Sequence, residues 1–383
     1  MNFELTDDQE LFRQTARRYL AKLTPMGPTP IGSEGPFVID REAWRAAAEL
    51  GWTAMFAPES AGGGSLSGRP VSDLAIIAEE FGRQLGVGPL IPVNIAIRAL
   101  AGDPQRHGST LSELVSGTTL ATWAVAESAE RWSPDSVTLR ATPVGTEIEL
   151  TGTKRYVESA LDADIFVVVA RTGSGLTQVV VPASVGGVRT TRSKSLDLRR
   201  EFGTVTLDHV RVPLTSTVGA LGDAQPAVQQ LFHIASVLQC AESVGVIDRM
   251  FEMTRQYMDD RVAFGRPLAA FQVLKHRAAD LLMSLESAKA ITDAAIAALD
   301  SGSAEAPALA DAAQSYVSDL APSFVQECLQ IHGGIGYTWE HQLHLFLRRA
   351  TVNRMLLGSP EQRRQALETR FRGWAPEGSL AHA

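Results

Sequence analysis

The run YMDDRVAFGRPLAAFQVLKHRAADLL, residues 257–282, decides the fold of this chain. Tyr257 and Arg261 are one helical turn apart, so they share a face of a predicted helix. Gly265 favours an end to that helix, and Pro267 cannot continue it. The run therefore predicts one long helix, a turn at Gly265-Arg266-Pro267, and the start of a second helix.

A second run, LQIHGGIGYTWEHQLHLFLRRA, covers residues 329–350. It predicts a helix that ends at His332-Gly333-Gly334 and a further helix that begins near Trp339. Two successive glycines have no side chains, so the backbone can approach a ligand closely. An arginine beside a Phe-Gly turn, together with such a backbone, suits a phosphate-bearing cofactor with flat rings.

Together the two runs resemble the acyl-CoA dehydrogenase family of flavoproteins in residue order and spacing. The residues that carry the resemblance are Arg261, Phe264, Gly265, Pro267, Phe271 and Gln272, then Gln330, Gly333, Gly334, Gly336 and Glu340. The resemblance covers almost the whole chain and is weakest between residues 120 and 220. It implies FAD as cofactor and an acyl-CoA as substrate. It also implies that Arg261, Phe264, Gln272, Gln330, Gly333 and Gly334 reach the FAD tail of a neighbouring subunit.

The composition argues against several other classes of protein. A chain of 383 residues predicts two or three domains. A formal net charge of -8 argues against a nucleic-acid binder or a protein held at a membrane surface by charge. Cys240 and Cys328 lie far apart in helical patterns, so we expect no disulfide framework and a cytoplasmic, reducing location. The acidic first residues do not form a signal peptide, and no apolar run of membrane-spanning length is expected.

The patterning divides the chain into three parts. A capping box at Thr6-Asp7-Asp8-Gln9 opens a helix to about Lys22, and residues 25–36 are expected to form a loop. Further helices are predicted at 41–50, 72–85, 89–101 and 110–116, and strands at 120–126, 136–141, 146–150, 165–171, 178–181 and 203–212. Helices are predicted again at 226–260, 268–300, 307–332, 339–353 and 360–371.

These elements predict a multidomain α+β fold. Its parts are an N-terminal α-helical domain (1–118), a middle β-barrel (119–222) and a C-terminal four-helix bundle (223–383). The same three-part architecture is implied by the family resemblance.

The implied reaction removes two hydrogens from adjacent carbons of an acyl-CoA thioester, and a carboxylate takes the α-proton. In the common branch of the family that base is a Glu in a turn after an Arg-Asp-Ala. Aligned to Arg348-Arg349-Ala350, its position falls on Leu357. In other branches the Glu lies near the start of the long helix, and counting back from Arg261 gives Ala235. Neither side chain can take a proton.

Glu242 is the remaining candidate for the base. It lies two helical turns beyond Ala235, roughly on the same face, among apolar neighbours of the kind that make a carboxylate basic. Two turns, however, are about 10 Å along the helix. A paired helix carboxylate with no chemical role is therefore the favoured interpretation of Glu242.

The predicted flavin-ring site departs from the family pattern. Where family members carry a Trp-Ile-Thr/Ser triplet, this chain has Tyr156-Val157-Glu158, and residues 126–136 replace a Thr-Glu-Pro…Gly-Ser-Asp run. Tyr156 offers an aromatic edge, whereas Glu158 puts an anion beside a ring that becomes negative on reduction. The part of the site that would hold the flavin ring therefore departs from the family pattern. The part that would contact the FAD of a neighbouring subunit keeps that pattern.

Three functions remain open. The chain could be a self-sufficient FAD-dependent dehydrogenase that forms the enoyl-CoA, in fatty acid or steroid side-chain oxidation. It could be a non-catalytic subunit that completes the FAD site of a homologous dehydrogenase chain in an α2β2 tetramer. A flavin-dependent oxidase or monooxygenase on the same fold is the third. A homo- or hetero-tetramer is expected, with an electron-transfer flavoprotein or another acceptor.

Other polar residues receive structural interpretations. Arg199-Arg200 is predicted to be an exposed charge pair on a β-hairpin, in preference to a contact with CoA phosphates. His332 is predicted to cap the end of a helix. His341 and His344 lack the spacing and companions of metal ligands, and no metal is assigned.

Overall fold

The computed structural model describes residues 5–24, 38–128, 132–338 and 341–372. The loop predicted at 25–36, the residues Trp339 and Glu340, and part of the 126–136 run lie outside these ranges.

The N-terminal part is helical, as predicted. Thr6 and Gln9 form the expected capping box at the start of the first helix. One helix is longer than predicted and begins at Pro104, because proline is well suited to the first helical position. The helices are α1 (Asp7–Leu23), α2 (Arg41–Glu49), α3 (Pro70–Gln84), α4 (Leu90–Leu100) and α5 (Pro104–Val115).

The described residues of the middle part form one eight-stranded sheet. Its strands are β1 (Ala121–Ala124), β2 (Arg140–Val144), β3 (Glu147–Glu158), β4 (Ile165–Arg171), β5 (Leu176–Pro182), β6 (Val188–Ser193), β7 (Phe202–Pro213) and β8 (Thr217–Val218). The pairing path runs β6-β7-β3-β2-β4-β5-β8, and β1 joins β4 in parallel. Within the described residues the path has two ends, β6 and β8, both absent from the predicted strands.

The C-terminal part is a bundle of long helices. They are α6 (Gln225–Asp260), α7 (Gln272–Asp300), α8 (Ala306–His332), α9 (Leu343–Met355) and α10 (Pro360–Arg372). Between α6 and α7 lies a short hairpin of β9 (Val262–Ala263) and β10 (Arg266–Pro267). The predicted turn at Gly265-Arg266-Pro267 is therefore shifted by one residue. Phe264 and Gly265 form it, both at positive φ (51° and 77°), as a two-residue hairpin turn of the primed type requires.

The longest helix, α6, is the centre of the core. By length and composition it could cross a membrane, contrary to expectation, but 94% of its apolar window is buried inside the protein. α3 crosses α6 at two glycines: a Cβ on Gly82 would lie 1.8 Å from the carbonyl oxygen of Glu242, and one on Gly245 would lie 1.9 Å from that of Glu79. This close crossing fixes the face of α6 that Glu242 presents.

Candidate active site

Both predicted base positions line one small cavity between α4, the sheet, α6 and the turn after α9. The cavity has a volume of about 60 Å³, and Tyr156, Glu158, Ala235 and Leu357 all line it. The two base positions that were counted from separate sequence motifs therefore lie at the same place in the fold. At that location the chain presents a methyl group and an isobutyl group, and neither accepts a proton.

The turn that carries Leu357 is rigid. Leu357 has a φ of 57°, its side chain is buried, and its carbonyl oxygen accepts a hydrogen bond from Gln314 Nε2 at 2.9 Å. A Cβ on Gly358 would lie 2.4 Å from a guanidinium nitrogen of Arg363. Arg363 also donates to the carbonyl oxygens of Leu357 and Trp132. The turn is thus fixed in place with an apolar side chain directed at the cavity.

Arg200 forms the polar wall of the same cavity. Its Nε and Nη2 donate to the two carboxylate oxygens of Glu158 at 2.8 and 2.6 Å, and the arginine is only 8% exposed. The predicted exposed charge pair at Arg199-Arg200 is therefore wrong for Arg200. The cause is strand pairing, because the register of β3 and β7 places Glu158 opposite Phe202, two residues after Arg200.

Glu242 is also paired. Arg349, 1% exposed, donates to Glu242 Oε1 and to Asp197 Oδ2, and Arg200 Nη1 lies 3.4 Å from Glu242 Oε2. Arg349 occupies the middle position of the Arg-Arg-Ala that aligns with the family's Arg-Asp-Ala. A buried guanidinium at that position requires acidic partners, and Glu242 and Asp197 supply them. The geometry matches the favoured interpretation of Glu242 as a paired carboxylate.

These five residues, Glu158, Asp197, Arg200, Glu242 and Arg349, are named here the ion cluster. Burial alone would lower the pKa of Arg200, but Glu158 and Glu242 more than offset it, and the pKa of Arg200 is raised. The pKa of Arg349 is raised as well, because Asp197 and Glu242 outweigh its burial. Both guanidinium groups therefore stay charged and hold the carboxylates in fixed positions.

The predicted cofactor-tail residues lie on an exposed surface of the bundle. Arg261, Gln272 and Gln330 are exposed, and the ring of Phe264 is 95% exposed at the tip of the hairpin. Tyr257 and His332 stack with ring centroids 4.5 Å apart, which joins the ends of α6 and α8.

Beside His332, a Cβ on Gly333 or Gly334 would meet nothing within 4 Å. This open backbone and the exposed Arg261 fit the phosphates of a dinucleotide tail. We name the surface formed by the hairpin, Gln272, Gln330 and the two glycines the tail face. Glu340, which the resemblance includes, lies outside the described residues.

Sequence reasoning did not identify Asp197, Arg200 and Arg349 as site residues. One signal was available for Arg349, because it stands where the family's Arg-Asp-Ala has an aspartate. A positive charge in place of a negative one predicts an acidic partner nearby. Glu242, an acid within an apolar stretch of α6, is that acid. Arg200 and Asp197 carried no comparable signal, because both lie in a loop of mixed composition.

No metal centre is visible in the described ranges, where no three metal-ligating side chains come together. His332 Nδ1 lies 2.9 Å from the carbonyl oxygen of Cys328, which fits its predicted capping role at the end of α8. Cys240 and Cys328 are both free and buried.

Comparison with known families agrees with the geometry of the fold. The acyl-CoA dehydrogenase N-terminal domain matches residues 6–118, and the acyl-CoA dehydrogenase C-terminal domain matches residues 224–371. The chain belongs to the acyl-CoA dehydrogenase family. The family and fold predicted from the two motifs are therefore confirmed.

Individual acyl-CoA dehydrogenases are similar along the whole chain. Acyl-CoA dehydrogenase IpdE2 of Mycolicibacterium smegmatis is 30% identical and covers 95% of this chain and 99% of its own. The structure of a Tcur3481-Tcur3483 steroid ACAD variant is 26% identical with a TM-score of 0.83, and the match covers 96% of this chain and 99% of that one. The ChsE4-ChsE5 complex from Mycobacterium tuberculosis shares the fold, with a TM-score of 0.84, 24% identity and coverage of 97% and 99%.

Membership fixes the chemistry at the level of the family. Acyl-CoA dehydrogenases are FAD-dependent oxidoreductases that form a double bond next to the thioester of an acyl-CoA. FAD, when bound, supplies the hydride acceptor, and the protein supplies position and electrostatics.

Proposed function

We propose that this chain is the non-catalytic subunit of a two-chain acyl-CoA dehydrogenase and completes the FAD site of a homologous partner. The observation that carries the proposal is the cavity shared by Ala235 and Leu357, which contains neither family base. The candidate Glu242 stands behind Arg200 and Arg349 in the ion cluster. A base must be free to reach the α-proton, and a carboxylate held by two arginines is not.

The size of the cavity supports the same conclusion. Ligand pockets for drug-sized molecules have volumes of about 300–1,000 Å³, whereas this cavity has about 60 Å³. Glu158 and Arg200 occupy its polar wall, and Trp132 lies against Tyr156 with ring centroids 6.2 Å apart. The residues present on this side therefore do not fit a flavin ring together with a thioester.

The tail face supports a role toward another subunit. Arg261, Phe264 and Gly334 are exposed, Gly333 is half-buried, and a Cβ on either glycine would meet nothing within 4 Å, so this backbone and Arg261 fit the tail of an FAD whose ring is held elsewhere. The name of the Tcur3481-Tcur3483 steroid ACAD, which joins two chains, supports a hetero-oligomer. The partner we propose carries the glutamate that this chain lacks.

The same name supports a steroid side-chain acyl-CoA as the substrate of the assembly. We propose an electron-transfer flavoprotein as the acceptor of the electrons. Two free, buried cysteines support a location in the reducing cytosol.

The test is to purify the chain alone and together with a homologous chain that retains the base, and to count flavins. Alone, the chain should be colourless and inactive toward acyl-CoA. The pair should carry one FAD for each copy of this chain and oxidise the thioester.

Substitution separates the roles of the two chains. Arg261→Ala should lower the flavin content of the pair, whereas Arg18→Ala, an exposed arginine on α1, should leave it unchanged. Substitution of the partner's base should abolish acyl-CoA oxidation. A yellow, active assembly of this chain alone would overturn the proposal. Reduction by acyl-CoA without oxygen, followed by admission of oxygen, would then distinguish the two enzymes, because the reduced flavin of an oxidase is reoxidised rapidly by oxygen and that of a dehydrogenase is not.

A further inference from the structure

A second cavity lies on the outer face of the sheet, over β2 and β3. Its volume is about 470 Å³, within the range of small-molecule sites. Successive residues of a strand point to opposite faces, so Arg155 lines this cavity while its neighbour Tyr156 lines the small cavity beside Leu357. The two cavities are therefore separate.

Irregular strand pairing shapes this face of the sheet. The register of β3 against β7 shifts between Leu150 and Gly152, as it does at a β-bulge. A Cβ on Gly152 would lie 2.8 Å from Leu139 Cγ, so only glycine allows this close packing. On β7, His209 lines the cavity with a φ of 52°, which is strained for a residue other than glycine. Bulges and strained residues are concentrated next to functional sites, so both features mark this face as a candidate site.

Both carboxylates in the cavity wall are already neutralised. Glu127 accepts hydrogen bonds from Lys154 Nζ at 2.8 Å and from two backbone amides. Burial alone would raise the pKa of Glu127, but Lys154 and the hydrogen bonds outweigh it and lower that pKa. Glu149 lies 2.9 Å from Arg211 and 3.1 Å from His209 Nδ1. Neither carboxylate therefore offers an unbalanced charge to a cation.

Two arginines of the wall have no acidic partner. Arg140 on β2 and Arg155 on β3 are exposed, and within the described residues neither side chain forms an ion pair or a hydrogen bond. Arg140 pairs with Thr151, and Arg155 is four residues farther along β3, roughly 13 Å at about 3.3 Å per residue. Guanidinium groups bind phosphate through paired, charge-assisted hydrogen bonds. The lining thus has two separated positive charges that select an anion.

Hydroxyl groups line the cavity together with these arginines. Thr142, Thr151 and Thr153 face it from alternate positions of β2 and β3, and their side chains have no hydrogen-bond partner in the part of the chain that the structure describes. A hydroxyl group both donates and accepts, which suits the hydroxyl groups of a sugar. Apart from Leu139 and Gly152 the lining is polar, so an apolar body would gain little from burial there.

We propose that this cavity binds a sugar bisphosphate, with one phosphate group on Arg140, the other on Arg155, and the sugar hydroxyl groups on the threonines. Two phosphates on one small body match two guanidinium groups that are separated along the sheet. The proposal does not depend on whether the chain is catalytic, because the cavity is separate from the family's base positions.

The first test compares probes on the unmodified full chain by calorimetric titration at about 0.15 M salt, where exposed charges are screened. Fructose 1,6-bisphosphate should bind saturably, with one molecule per chain. Fructose 6-phosphate should bind about tenfold more weakly, as expected for the loss of one set of charge-assisted hydrogen bonds. Hexane-1,6-diol bisphosphate, which lacks the sugar hydroxyl groups, should also bind about tenfold more weakly, and fructose should show no saturable binding.

The second test locates the site by substitution. Arg140→Gln and Arg155→Gln should each weaken binding of fructose 1,6-bisphosphate about tenfold, to the affinity of fructose 6-phosphate. Arg45→Gln removes an exposed arginine of α2 and should leave the affinity unchanged. Arg261→Ala should also leave it unchanged, which separates this site from the tail face.

Three results would overturn the proposal. They are no saturable binding of fructose 1,6-bisphosphate, equally tight binding of hexane-1,6-diol bisphosphate or fructose 6-phosphate, and unchanged affinity in both Arg140→Gln and Arg155→Gln. Thermal unfolding checks that each variant is folded. The comparison of probes needs no variant, so it decides the matter even if a substitution prevents folding.

Discussion

Arg200, which is only 8% exposed, joins the carboxylates of Glu158 and Glu242. Arg200→Met keeps an unbranched side chain but leaves Glu158, whose side chain is 14% exposed, without its bidentate partner. Removal of one member of a buried ion pair costs about 3–5 kcal/mol. We expect urea denaturation to show a fall of about 3 kcal/mol in the free energy of unfolding.

The matched control is Arg189→Met, which removes an exposed pair with Asp208 on the same sheet. An exposed pair contributes less than about 1 kcal/mol, so the two variants should differ clearly. If Arg200→Met lost no more stability than Arg189→Met, the ion cluster would not stabilise the fold around this cavity.

Asp293 gives a prediction about pH. Burial raises its pKa in the folded protein to about 6, whereas an unperturbed Asp has a pKa of about 3.9. Between these values the folded protein binds more protons than the unfolded chain, so the free energy of unfolding falls as pH rises through the window. Lys289 opposes this effect, and Glu286 adds to it.

Asp293→Asn removes this dependence. The stability of the variant relative to the unmodified protein should therefore be greater at about pH 7 than at about pH 4.5. Urea denaturation at the two pH values measures the difference. A difference that stays constant with pH would show that burial does not perturb this carboxyl.

At the level of single residues, the sequence predicted which residues occupy the family's base positions better than it predicted which residues form ion pairs. Counting from Arg261 and from Arg348-Arg349-Ala350 found Ala235 and Leu357, because motif spacing survives in the fold. The partner of Glu158 is 42 residues away and that of Glu242 is 107 residues away. No local pattern encodes such pairs, so the burial of Arg200 had to come from the structure.

The crossing of α3 and α6 depends on the absence of side chains at Gly82 and Gly245. In Gly82→Ala the new methyl group would lie 1.8 Å from the carbonyl oxygen of Glu242, so the helices must separate. Overpacking costs about 1–3 kcal/mol, and a helix shift would also disturb the ion cluster. We expect a lower melting temperature for this variant.

Gly108→Ala on α5 is the control, because a Cβ there meets nothing within 4 Å. Alanine is a better helix former than glycine by about 0.5–1 kcal/mol, so this variant should melt at a higher temperature. If the melting temperatures of Gly82→Ala and Gly108→Ala both rose, or both fell, relative to that of the unmodified protein, a tight crossing at Gly82 would be contradicted.

At the level of elements, helices were predicted well and edge strands poorly. The caps at Thr6 and Asp40 and the apolar periodicity mark the helices in sequence. β6 reads VRTTRS, with no fully buried position, so an edge strand of this kind lacks the apolar signal of a core strand. β8 has only two residues, and it is a strand because it pairs with β5.

At the level of the whole molecule, one surface carries several large apolar side chains that are exposed to solvent. Val262, Phe264, Val273 and Met283 are 58%, 95%, 65% and 66% exposed. They surround the hairpin and the start of α7, whose first residues, 272–280, are partly or fully exposed without exception. Apolar groups clustered in this way mark an interaction surface, and the surface is continuous with the tail face.

Val273→Asp tests whether this surface holds the partner subunit. A carboxylate buried in an apolar interface without a counter-charge opposes association, so sedimentation velocity should show the pair dissociating and the flavin content should fall with it. Val144→Asp, a 40% exposed valine on β2, should leave both unchanged. If Val273→Asp formed the same assembly with the same flavin content, the tail face would be open to solvent in the functional protein. The FAD would then have to be held by other residues.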